Sequence, residues 1–165
     1  MKKLFALMLA LCLMLCSAAV AEEATLAGEM FAMDVLGLQM FIPAEYVVDE
    51  NATVPEMAQL LYAWKASDES GEFLKVSASK IEGLEELDTF LAYAQENVSP
   101  EARIIEVESG LHMVEFFNDS DATINAVLID TNNNIICFEM GPTTDQKEAA
   151  ELAFLVLMNT LAPIQ

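Results

Sequence analysis

Basic residues are scarce in this chain: 7 Lys and Arg stand against 27 Asp and Glu, a formal charge of −20. A field of that sign repels phosphate backbones and anionic headgroups, which argues against nucleic acid or an acidic lipid surface as a partner. Beyond the first three positions the basic residues are Lys65, Lys75, Lys80, Arg103 and Lys147, and they form no cluster along the sequence. Histidine is scarcer still. His112 stands alone, so a Ser-His-Asp triad or a histidine-rich metal site has little to build from. No apolar run reaches the ~20 residues a membrane-spanning helix needs. What is abundant is apolar residues, 55% of the chain, enough to build a packed core despite the charge.

Cysteine is sparse and unevenly placed, at Cys12, Cys16 and Cys137. The first two lie in a leader-like segment. Lys2 and Lys3 supply a positive start, Leu4 to Leu15 an apolar stretch, and Ala19-Val20-Ala21 small residues at both positions of an A-x-A cleavage site. This reads as a bacterial secretory signal peptide at 1–21, leaving a single domain over 22–165 and a product that is secreted or extracytoplasmic. Lipoprotein anchoring at Cys16 is the rival reading. It is disfavoured because bulky Leu15 precedes Cys16, and Leu11 precedes Cys12, where lipoprotein signals carry a small residue. Loss of the leader moves the charge to −22 and leaves Cys137 as the one cysteine, so no internal disulfide is expected. No stable membrane insertion is expected after cleavage.

The pattern along the domain is mostly paired strands. Residues 30–35 and 38–42 read as a hairpin ended by Pro43. Thr53 and Glu56 have capping-box spacing around Pro55, which predicts a short helix to about Gln59. Strands at 60–66 and 72–80 flank a polar Ser67–Gly71 loop. Leu84, Leu87, Leu91 and Ala94 recur at helical spacing and predict a helix over 84–97. Further strands are expected at 102–107, 111–117, 122–129 and 135–140. A last helix is expected to about Leu161, with Thr143 and Gln146 as its caps. Adjacent strands joined by tight turns imply an antiparallel sheet with helices laid on it, an α+β fold.

Four stretches in this order carry a resemblance. They are GLQMFIPAEY, YAWKASDESGEFLKVSAS, the SGLHMVEFF…INAVLIDTNNNIICFEM meander, and the closing MNTLAPI. Together they resemble the PsbP-like family of small exported proteins. The resemblance implies a twisted antiparallel sheet between helices, an α/β/α sandwich, and proteins that mostly bind or assist other components without catalysis. It brings no site motif, so no functional residue is carried over.

Apparent sites are weighed against plainer readings. Asp130, Asn132 and Asn134 match the opening of a calcium loop, but Ile135 and Gly141 stand where that loop needs Gly and Glu. A hairpin turn explains the cluster better, as it does for Asn118 to Asp121; weak calcium binding by either turn stays open. Ser77 and Lys80 fit S-x-x-K, yet in a strand they point to opposite faces. Cys137 and His112 are the pair from which a small hydrolase would be built. Cys137 between Ile136 and Phe138 reads instead as a small buried hydrophobe, and His112 as half-buried. Tyr62, Trp64 and Tyr93 are candidates to line a pocket, with core packing as the commoner role.

The final helix is the best hint of function. Residues 152–158 are apolar on every side, whereas a surface helix carries a polar stripe. Either neighbours cover it on several faces, the favoured reading, or it offers an interaction surface. Leu152, Leu155, Val156 and Met158 are the residues of that surface. The expected function is a non-catalytic domain that binds a protein or small apolar ligand outside the cytoplasm, without cofactor or metal. A homodimer and a purely structural envelope role are the alternatives.

Overall fold

The computed structural model describes residues 27–142 and 147–164. The caps expected at Thr143 and Gln146, and the leader, lie outside them. Among the described residues there are ten strands: β1 (Gly28–Met33), β2 (Leu38–Pro43), β3 (Tyr46–Val48), β4 (Ala58–Ala66), β5 (Phe73–Ser79), β6 (Arg103–Glu106), β7 (His112–Asn118), β8 (Thr123–Ile129), β9 (Ile135–Gly141) and β10 (Ala162–Pro163). Helix α1 spans Leu87–Asn97 and α2 spans Lys147–Asn159.

A seven-stranded antiparallel sheet runs β3-β4-β5-β9-β8-β7-β6. After the β4–β5 hairpin the chain passes through α1 to the far edge, then meanders back through β6, β7 and β8 so that β9 closes against β5. Strand β8 is buried at Thr123 through Leu128, both faces included. That follows from its central place and from its sequence, in which Ile124, Ala126 and Leu128 serve one face and Val127 the other.

Each face is covered differently. On the back, Phe90 and Ala94 of α1 pack with Leu84, Val114, Val127 and Ile135. Asp88 in the first turn suits the positive end of the helix. At the other end Val98 and Ser99 both donate to the Ala94 carbonyl before Pro100 breaks the chain. On the front lie α2 and a smaller sheet, β1-β2-β10. Strand β2 alternates strictly, burying Leu38, Met40 and Ile42 against Phe154, Leu157 and Met158 of α2. Burial of a side chain the size of Phe154 contributes about 2–3 kcal/mol. Thr160 ties the end of α2 to this sheet: its hydroxyl donates to the Leu157 carbonyl at 2.7 Å and accepts from the Phe41 amide at 3.0 Å.

The short helix expected at 53–59 is absent. The Ala58 amide closes a turn onto the Pro55 carbonyl at 2.9 Å, and β4 begins there. Strands β3 and β10, both very short, were not foreseen.

Candidate interaction surface and the Tyr46 cavity

Helix α2 is covered on one face only. Phe154, Leu157 and Met158 point into the core, and Met158 is fully buried, so it forms no part of any surface. Leu152 and Val156 point outward, 49% and 51% exposed, with Ala149 and Ala153 exposed on the same flank and Leu155 half-buried. The expectation of cover on several faces therefore fails: these spacings place one apolar stripe inward and a second, at 149, 152, 153 and 156, at the surface.

Beside that stripe lies a cavity of about 410 Å³, open on one side to solvent. Ala149, Ala150 and Ala153 of α2 form its helical wall, and Met140 and Leu157 its floor. The opposite wall is chemical in character. Tyr46, at the start of β3, lines the cavity together with Glu72 and Glu45. Burial and the surrounding carboxylates of Glu72, Glu45 and Asp68 push the Tyr46 phenol up to about 12. It remains a neutral hydrogen-bond donor throughout the physiological range.

A second groove, about 510 Å³, opens on the other side of Tyr46 between β1 and β3. Phe31, Val47 and Trp64 line it. Trp64 is only 3% exposed and sits edge-on to Phe31, with ring centroids 5.1 Å apart, while Tyr62 stacks beside it at 6.1 Å. These aromatics are first of all core, as expected, and Trp64 also reaches the groove. Tyr93 is 43% exposed on α1, packed against Phe90.

The Cys137–His112 pair is not assembled. The Cys137 sulfur contacts the Asn125 amide oxygen at 3.5 Å and the Phe138 carbonyl at 3.8 Å. The residue keeps some contact with solvent. Its sulfur nonetheless lies deep enough that burial, with Glu139 beside it, pushes the thiol up to about 12, the opposite of an activated nucleophile. His112 is exposed, not half-buried, because it begins β7 at the rim of the sheet, opposite Glu106 at 3.9 Å.

The Asp130 turn is closed on itself. One carboxylate oxygen accepts from the Asn132 and Asn134 amides at 2.7 and 2.8 Å, and the other from the Asn134 side chain at 2.7 Å. Asn133 takes the left-handed conformation that the turn needs, at φ 62°. Asn118 bonds Asp121 and Ser120 in the same manner. Among the described residues no three His, Cys, Asp or Glu side chains gather as metal ligands, and no helix is long and apolar enough to cross a membrane.

No family model and no curated protein matches the sequence. Solved structures do. The chain superposes on the solution structure of cyanobacterial PsbP (CyanoP) from Synechocystis sp. PCC 6803, with a TM-score of 0.54 at 14% identity, covering 90% of this chain and 99% of that one. The fold is PsbP-like. The Ran-binding protein Mog1p of Saccharomyces cerevisiae is similar too, with a TM-score of 0.50 at 9% identity over 86% of this chain and 97% of that one. At these identities the likeness concerns the PsbP-like fold alone.

Nothing in the sequence pointed to the Tyr46 cavity. Its walls come from the β2–β3 connection, the start of β5, the end of β9 and α2, four stretches that only the folded sheet brings together.

Proposed function

We propose that the chain is a non-catalytic binding domain, exported from a bacterial cell, that contacts a protein partner through the outer stripe of α2. The observation that carries this is the exposed apolar flank formed by Leu152 and Val156. The stripe sets apolar surface on a strongly acidic molecule, the kind of patch a partner contact uses. Like charge disfavours a second copy of the chain, so the partner is a protein that presents apolar residues among basic ones. The PsbP-like fold supports a binding role, since one structural neighbour is named as a Ran-binding protein. The placement of Cys137 and His112 lends no support to hydrolysis.

The test is the native mass of the protein recovered from its own host after export. The expected result is a chain beginning at Glu22, with a second protein that departs on denaturation. Leu152→Glu with Val156→Glu should abolish that association and leave the fold intact. A bare chain under all conditions would overturn the reading. A second reading, a small apolar ligand, draws on the groove lined by Trp64, Phe31 and Val47; it predicts an adduct of a few hundred daltons. A chain starting at an acylated Cys16 would make the protein a lipoprotein.

A further inference from the structure

We propose that the Tyr46 cavity receives a cationic side chain, an arginine or lysine, from the partner protein. This deepens the protein-binding reading by naming what the partner inserts beside the α2 stripe. Three features of the cavity carry it. The alanines of α2 together with Met140 and Leu157 make an apolar wall suited to a methylene stem. The phenol of Tyr46 lines the cavity as well, and aromatic rings attract cations. Glu45 and Glu72 flank that phenol, with Asp68 close enough to act on it as well.

No basic side chain among the described residues pairs with these carboxylates. Among the described residues, Lys65 pairs with Asp49 and Arg103 with Glu115. Lys147 pairs with Glu101 and lies over the Phe117 ring. Lys75 lies over Phe73, and Lys80 donates to the Asn132 carbonyl. Each of the five basic side chains is engaged with another group, and none forms an ion pair with Glu45 or Glu72. A cation from outside would meet two exposed carboxylates and the Tyr46 phenol beside an apolar wall. A neutral side chain of the same length would have only the wall.

The experiment uses the protein labelled with nitrogen-15 and three probes. They are N-acetyl-arginine N-methylamide, its neutral norleucine counterpart, and free n-butylammonium. A single inserted side chain should bind on the order of 1–10 mM. Arginine amide should give saturable shifts at the amides of Tyr46, Gly141 and Ala150, and norleucine amide should not. Glu72→Gln and Glu45→Gln should each weaken binding by about fivefold, the size expected of one partly solvated ion pair. Glu45 and Glu72 are both exposed, so either variant should keep the fold, and the two together keep the result readable.

Equal binding of the norleucine probe would overturn the proposal by showing a purely apolar pocket. Shifts spread over acidic residues elsewhere, or none that saturate, would overturn it too. Tighter binding of butylammonium, the lysine side chain itself, than of arginine amide would support the proposal with lysine as the inserted residue. Because the assay needs no partner, its failure leaves the contact through Leu152 and Val156 to be judged by its own variants.

Discussion

Arg103 holds Glu115 by one oxygen. Its Nε and one terminal nitrogen both lie 2.7 Å from Oε2, while Oε1 is buried without a hydrogen-bond partner. Burial pushes the Glu115 carboxyl above its ordinary range. The contact with Arg103 pulls it down by less, and Glu151 of α2 adds a small upward push. The ion pair thus joins an exposed arginine on the edge strand β6 to a buried carboxylate, with one oxygen desolvated and uncompensated.

The pH dependence follows from the direction of that shift. A carboxyl whose folded pKa is raised binds its proton more tightly folded than unfolded. Its contribution to stability is present below the ordinary glutamate value of 4.5 and fades as pH rises through the raised value. Glu115→Gln removes this dependence. Urea melts at pH 4 and pH 7 should show the variant losing less stability than the parent protein over that interval. An identical pH trend in both proteins would contradict the burial of Oε1.

Cys137 should resist thiol reagents. With its pKa pushed up to about 12, thiolate is a trace species at pH 8. A disulfide-exchange dye should label the native protein at least a hundredfold more slowly than the same protein in guanidinium. Rapid native labelling would mean that the sulfur is more open than its contact with Asn125 implies.

Two residues of α2, Phe154 and Leu152, should answer truncation in opposite ways. Phe154 is fully buried among the core residues and Leu152 is half exposed. Phe154→Ala should cost about 3–5 kcal/mol, whereas Leu152→Ala should stay within about 0.5 kcal/mol, as surface changes do. Denaturant melts of the two variants check this, and similar losses would show that the outer stripe is packed.

The turn at Asp130 supplies a fourth expectation. Burial raises its carboxyl somewhat, but hydrogen bonds from Asn134 and Asn132 outweigh that and hold it below the ordinary range. Its stabilisation is present above the unfolded value and is lost as pH falls through the lowered folded one. Asp130→Ala should therefore cost about 2 kcal/mol at pH 7, from lost bonds to a charged acceptor, and less in acid. Added calcium should leave the melting point of the parent protein unchanged if the self-closed turn is the whole role of Asp130.

The legible part of this molecule was its alternation. β2, β7 and β9 announced themselves by period and by the turns between them, and α1 by Leu84, Leu87, Leu91 and Ala94, although Phe90 proved the deepest side chain within the helix after Ala94. The capping spacing at Thr53 misled because a cap without an apolar repeat behind it gives one turn nothing to pack, and nucleation alone is unfavourable. Met158 and Val156 illustrate a second limit. In a helix apolar on all sides the sequence cannot tell which stripe the sheet will cover. The Tyr46 cavity marks a third, since its walls share no local pattern.

The crossover through α1 has a temporal side. The ladder between β5 and β9 joins residues roughly 60 apart, a closure that costs entropy before it returns any contact. Synthesised from the N-terminus, the β4–β5 hairpin must wait with a bare inner edge until residue 141 has emerged. Until then β3-β4-β5 and β6-β7-β8 are two separate groups of paired strands, and β9, the last strand of this sheet to be made, is the one that joins them.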